Sequence, residues 1–527
     1  MGTHTSRWAL YEPDEPVAAA GWRLETLVAA ARHYPTNGIR VASDGRLWIT
    51  QVLGRHITSL DPATNEQHVV VPLGSGLLGP DDLAFDRYGN TFVTEPHDDR
   101  VSRVSRDGTV EVWADGLPSA NGITISPDGR LFIDECRPDG RLVEIDTDEP
   151  NQWRVVVGGL GMPNALEMGP DGWLYLPEVS ASRVLAVDPD TGATRVAVDD
   201  VFAPSAVKFD HQGRLVVTEA GAGNVTMVDL ATGERRVLTH LTPGLDNLAF
   251  ADEHTMYVSS FVTGAIYRIG LEHGDSEVRS EPALITANGL SPSSDGGLLV
   301  SDRLSLVEVD ERGALRRLAC LPVDMQFTSA GAVMAGGALC VLTTDGRLMH
   351  RRSNKEGFRE LPVVGAHDSL ACISILADLV LVGAGSDALA VDQSGAVRRS
   401  IATGLRISAV ASHDESVVVC ERGTGTVALF DSGTATVWTG FADPAAVALT
   451  ADAVFVAEEA ARRVMCVARA SGERTIAATE MPFGSPLAGH ANGVGPPSLC
   501  VAADGSVFVG CSGDASVRRL SRMPGRV

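Results

Sequence analysis

Apolar and polar residues alternate in short runs along almost the whole chain, with a period of two and no helical period. The clearest stretch is Ser119–Glu135, SANGITISPDGRLFIDE. Gly122–Ile125 and Arg130–Asp134 read there as antiparallel strands, and Ser-Pro-Asp-Gly as the turn joining them. Arg141–Asp146 and Trp153–Val157 add two further strands of the same alternating kind. A lone four-stranded unit cannot bury both its faces. Stacking such units radially does so, and closing the ring leaves only short, protected edges.

The unit recurs about every 40 residues, the period of a propeller blade. Its copies are marked by the residue aligned with Asn121: Asn37, Asp81, Asn121, Asn164, Ser205, Asp246, Asn288, Ser329, Ser369, Ile407, Pro444 and Pro497. Twelve blades exceed the usual ring, so the expected fold is all-β, with two tandem six-bladed β-propellers over residues 21–272 and 278–527. Residues 1–20 read as a loosely ordered lead-in, and Leu271–Glu277 as the linker. Each ring is expected to close with an N-terminal strand that completes its last blade. Trp22–Val28 would complete the blade begun by Asp246, and Glu281–Thr286 the blade begun by Pro497.

Inner strands of a propeller begin on one face and converge on its axis. In the first ring the converging residues are Asn37, Asp81, Asn121, Asn164, Ser205 and Asp246, all oxygen donors. Such a set suits a hard divalent cation, Ca²⁺ first and Mg²⁺ or Mn²⁺ as alternatives, where Zn²⁺ or copper would want His or Cys. Turn chemistry also favours Asn and Asp, but the second ring supplies a control. It carries Ile407, Pro444 and Pro497 in the same slot, so the first ring's set is not a requirement of the backbone. Glu95, Glu135, Glu178 and Glu219 form a further acidic collar at the ends of second strands. Asp302, Glu421 and Glu458 repeat it in the second ring, which makes the collar partly a habit of the blade.

Composition narrows the partners. Of 527 residues, 44% are hydrophobic and 55 are Gly, as in a soluble, turn-rich protein, and the formal charge of −24 excludes nucleic acid and anionic membranes as partners. No apolar run is long enough to span a membrane, and the first residues lack a secretory pattern, so a cytoplasmic location is expected. The eight Cys are scattered, without CxxC spacing, and read as buried thiols.

SANGITISPDGRLFIDE, PDDLAFDRYGNTFVTE and PNALEMGPDGWLYLPE resemble segments of the SMP-30/gluconolactonase family of six-bladed propellers and of diisopropylfluorophosphatase-like hydrolases. The likeness covers roughly residues 22–270, with the second half a diverged relative. Runs such as DGRLWIT also resemble NHL-type propellers and virginiamycin B lyases. The resemblance implies a divalent metal on the axis, held by a Glu, two Asn and an Asp. Those positions fall on Asp246 for the Glu, Asp81 and Asn121 for the two Asn, and Asn164 for the Asp. Three of the four differ in residue type from the family, and the family's basic Asp is here an amide, which cannot act as a base.

What the resemblance implies is a metal-dependent hydrolase of a lactone or related ester. Asp81 would activate water, Asp246 is the second catalytic carboxylate, and Asn121 and Asn164 help to hold the ion. Loops entering the inner strands would line the small-molecule pocket with Tyr34, Asn37, Met162, Phe202 and Ser205, and His33 and His97 are acid–base candidates. Two rivals stand beside it: a metal-dependent lyase or isomerase working through an enolate on the same site, and a non-catalytic scaffold. The second ring is expected to stabilise the protein, to cover the first ring, or to join copies of the chain in a homo-oligomer.

Overall fold

A computed structural model describes residues 6–293, 296–320, 328–353, 356–363, 370–487 and 495–523, so Ser369 lies outside the described residues. The protein is all-β and propeller-like. Among the described residues its strands form twelve antiparallel sheets, each of four strands except one with five. Among the described residues the only helix is a single 3₁₀ turn at Val179–Ala181, and no helix is long and apolar enough to cross a membrane.

The third sheet shows why these residues fold as they do. It runs Ala120–Ile125, Leu131–Glu135, Pro138–Ile145 and Trp153–Gly161, in chain order. Gly129 N donates to Ser126 O at 2.9 Å, and Gly129 adopts φ +95°, a left-handed value that favours Gly. That turn sets Ile125 opposite Leu131 and Ile123 opposite Ile133. All but one of these four apolar residues are fully buried between neighbouring sheets.

Residues 32–283 pack as one compact unit, and residues 6–31 with 284–527 as another. The first unit is therefore an insertion between two parts of the second. Six hydrophobic clusters in the first unit each join one sheet to the next. The last of them brings Ile39 and Leu47 of the first sheet against Tyr257 and Ile266 of the sixth, which closes the cycle. Hydroxyls on second strands reinforce it. Thr50 donates to Asp81 O, Thr94 to Asn121 O, Thr218 to Asp246 O at 3.4 Å, and Ser259 to Asn37 O at 2.6 Å.

Closure differs from the expectation. The sixth sheet draws all four strands from its own sequence, Leu245–Phe250, Thr255–Ser260, Ile266–Gly270 and Ser276–Ser280. Leu271–Glu277 is thus a turn leading into an outer strand, not a linker, with Gly274 N bonded to Gly270 O at 2.9 Å. Trp22–Val28 instead pairs with Val517–Arg522, aligning Trp22 with Arg522 and Leu24 with Leu520. The physical reason is the unpaired edge. The last sheet has only three strands of its own, and an exposed edge favours whichever strand covers it. Glu281–Thr286 forms no strand.

Residues 6–20 of the lead-in are not loose either. Arg7 and Trp8 are buried, Arg7 Nε donates to Gly513 O at 2.8 Å, and Val17–Ala18 adds a fifth strand beside Arg474–Thr479.

Candidate functional site

The residues in the converging slot of the 32–283 unit are held by their own hairpins. Asn37 N donates to Thr50 O at 3.0 Å, and Asp81 N to Thr94 O at 2.8 Å. The hydroxyl bridges just described then fix each of these residues against the preceding sheet, so Asp81, Asn121, Asp246 and Asn37 occupy equivalent places. Asn37 also lowers the Asp246 carboxyl against the effect of burial, so the two ends of the cycle meet there.

Acidity concentrates here. Burial, reinforced by the neighbouring Asp82 charge, pushes Asp81 up to about 7. Burial raises Asp246 well above the usual carboxylate range, with repulsion from Asp81 and Asp82 adding to it. Asp134, buried and likewise facing Asp82 and Asp81, is pushed up to about 8 despite a hydrogen bond from Gly122 N at 3.1 Å. One oxygen each of Asp246 and Asp134, Oδ2 in both, is buried without a hydrogen-bond partner. The Cys136 thiol feels the same field: burial and then Asp134, Asp81 and Asp246 raise its pKa.

Below this layer lie residues that the sequence reading did not single out. Arg40 Nη2 meets Asp82 Oδ2 at 3.1 Å and Ile123 O at 3.0 Å, and Nη1 reaches Asn247 Oδ1 at 3.5 Å. Buried Lys208 Nζ meets Leu166 O at 3.1 Å and Glu167 Oε2 at 2.5 Å. Their signal is positional. Arg40, Glu167 and Lys208 each stand three residues after an axial slot, and Asp82 and Asn247 one residue after. Asp134 stands where other second strands carry Thr50, Thr94, Thr218 or Ser259.

Other expected residues are placed as follows. Asn164 is partly buried and its Oδ1 accepts from Ala165 N at 2.8 Å, while buried Ser205 exchanges a hydrogen bond with Thr218 Oγ1 at 3.0 Å. Asn37 is buried, and its Oδ1 accepts from Val52 N at 3.2 Å. Met162 is partly exposed with a left-handed φ of 55°. Tyr34, 1% exposed, lies in the interior and not at an open mouth, whereas Phe202 is 59% exposed. His33 is buried and His97 exposed. The groups that act on Asp81 and Asp246 are acids and an amide, not these histidines.

The acidic collar has a structural occupation. Glu95 accepts Leu78 N at 2.5 Å and Gly79 N at 3.3 Å, and pairs with Arg100 at 2.9 Å. Glu178 accepts Gly161 N at 2.7 Å, and Glu219 accepts Phe202 N at 2.9 Å. Glu135 instead holds Arg137 and Arg141. Asp302 and Glu458 bind loop N–H groups in the same way in the other unit. These carboxylates anchor the loops that lead into inner strands.

A hard cation fits the axial residues. The axial slots carry two carboxylates that repel each other, one with an unpartnered buried oxygen, and the amides of Asn37, Asn121 and Asn164, and oxygen donors are what Ca²⁺ takes. Among the described residues no three His, Cys, Asp or Glu side chains lie close enough to hold a metal, so a cation there must draw on the amides as well.

The chain matches no family model. It is 28% identical over 148 residues to a gluconolactonase from Zymomonas mobilis subsp. mobilis, a match covering 25% of this chain and 39% of that protein. Among solved structures, a streptogramin B lyase aligns with TM-score 0.40 and 18% identity over 53% of this chain and 94% of the other. The Staphylococcus aureus virginiamycin B lyase aligns with TM-score 0.39 and 17% identity over 53% and 95%.

Proposed function

We propose that residues 32–283 form a six-bladed propeller carrying a divalent-cation-dependent hydrolase site for a lactone or related ester, and that residues 6–31 with 284–527 form a second propeller. The observation that carries the site is the pair of mutually repelling carboxylates at the starts of inner strands, buried Asp81 and partly buried Asp246, whose Oδ2 is buried and unpartnered. A fold retains such a pair at a cost in stability, and a bound cation relieves it. The partial match to a gluconolactonase supports a lactone as the substrate class.

Asp81, Asp246, Asn121 and Asn164 are the residues that would hold the cation. When bound, the cation supplies Lewis-acid polarisation of the substrate carbonyl. Asp81 takes the base role. It would receive a proton from attacking water and return it. The loops pinned by Glu95, Glu178 and Glu219 shape the mouth.

The test is a panel of lactones and aryl esters assayed with and without chelator. Chelator-sensitive hydrolysis restored by Ca²⁺ is the expected result, and chelator-insensitive hydrolysis overturns the mechanism. A carboxylate base there also suits removal of a proton beside a carbonyl, the step of a lyase or isomerase. Product mass separates the two, because only hydrolysis adds the mass of water.

A further inference from the structure

Arg40 reaches three other sheets from the axis. Its guanidinium bonds Asp82 Oδ2 and Ile123 O and approaches Asn247 Oδ1. Asp82 directly follows Asp81, Ile123 lies two residues after Asn121, and Asn247 directly follows Asp246. One planar cation is thus tied to the strand starts that bear three of the four residues named as cation holders. Lys208 does the same for the fourth, through Leu166 O, two residues after Asn164.

The other unit shows that this charged floor is not demanded by the fold. The residues that its strand pairing sets where Arg40 and Lys208 stand are Ser291, Val333, Ser374, Ala411, Ala448 and Cys500, none of them charged at neutral pH. The buried Arg40–Asp82 pair, at 15% and 2% side-chain exposure, carries a desolvation cost that an uncharged floor avoids.

We propose that Arg40 is the positioning residue of the axial site: its guanidinium holds the strand starts of Asp81, Asn121 and Asp246 at the separation a hard cation needs. The proposal rests on the cation reading given above. It takes a sign opposite to simple electrostatics. Removing a positive charge beside a cation site strengthens cation binding by Coulomb's law, whereas removing the clamp weakens it. An ammonium, a point donor on a flexible stem, cannot bridge the three acceptors as the planar fork does, so Arg40→Lys also weakens binding.

The experiment is Tb³⁺ titration of the full-length, chelator-stripped protein, with affinity and emission lifetime as readouts and hydrogen exchange to verify folding. Wild type is compared with Arg40→Lys, Arg40→Met and the double variant Arg40→Met/Asp82→Asn, which leaves no unpaired buried charge. The expected result is a loss of about tenfold or more for Arg40→Met, on the scale of lost outer partners of metal ligands. A smaller loss follows for Arg40→Lys, persistent weakness in the double variant, and shorter lifetimes as water enters a looser shell. If wild type binds and Arg40→Met binds as tightly or more tightly, the clamp is overturned while the cation site stands. Wild-type affinity in the double variant overturns it too, because Arg40 then only neutralises Asp82. If wild type binds no Tb³⁺, the cation reading fails and the clamp fails with it.

Discussion

Replacing Asp81 by Asn should stabilise the cation-free protein at alkaline pH while abolishing its response to Ca²⁺. The magnitude follows from the carboxyl's environment. Burial and Asp82 hold it at about 7 against an ordinary 3.8, a difference of about 4 kcal/mol at full effect. The folded state binds this proton more tightly than the unfolded chain. The contribution is therefore complete below about pH 4, falls as pH rises towards 7, and is gone above it.

Asn is neutral throughout, so the two proteins should match near pH 4, and Asp81→Asn should lead by about 2–4 kcal/mol at pH 8.5 in chelator. Relief of repulsion on Asp246 adds in the same direction. Saturating Ca²⁺ closes much of this gap, because at about 100 times its dissociation constant a ligand adds about 2.7 kcal/mol to wild type alone. Urea unfolding at the two pH values, read by pulsed hydrogen exchange in inner-strand peptides of residues 32–283, isolates the relevant unit. Equal stability of the two proteins at pH 8.5 without cation would refute the claim that the site is strained by its own charge.

Glu95→Gln should cost about 3 kcal/mol, since it leaves the Arg100 charge and two loop N–H groups poorly matched, yet leave Ca²⁺ affinity unchanged in isothermal calorimetry. Deleting residues 6–31 should destabilise and aggregate the 284–527 unit by uncovering the edge of Val517–Arg522, with exchange protection retained in residues 32–283. Thr94→Val should lower stability by about 1 kcal/mol in urea titration, because the Asn121 carbonyl loses its bridging hydroxyl.

The hairpins were legible because their turns and alternation are local. Ser126–Arg130 carries its own instructions, and the slot of Asn121 follows by counting. The destination of Trp22–Val28 was not legible. Its pairing partner lies nearly five hundred residues away, at Val517–Arg522, and no local feature distinguishes one three-stranded sheet from another that lacks an edge strand. Asp81 and Asp246 could be named because Asn and Asp recur in one slot, and the apolar slots of the second half acted as a control. Arg40, Lys208, Asp82 and Asp134 escaped because each is a charge that most other copies of the repeat lack at its position. Only the register of slot, slot plus one and slot plus three unites the first three, and it emerges once Arg40 is seen to meet Asp82 and Asn247. Tyr34 misled for a simpler reason. A loop aromatic can face either the mouth or the interior, and here Gln51 Oε1 accepts its backbone N–H at 2.7 Å with the ring turned inward.

The central claim is that the first unit's axial oxygens hold one divalent cation. Calorimetric titration of chelator-stripped protein with Ca²⁺ tests it most directly. Binding at one equivalent per chain, lost in the folded Asp81→Asn/Asp246→Asn double variant, is the predicted result. No binding by wild type, or equal binding by the folded double variant, would contradict it.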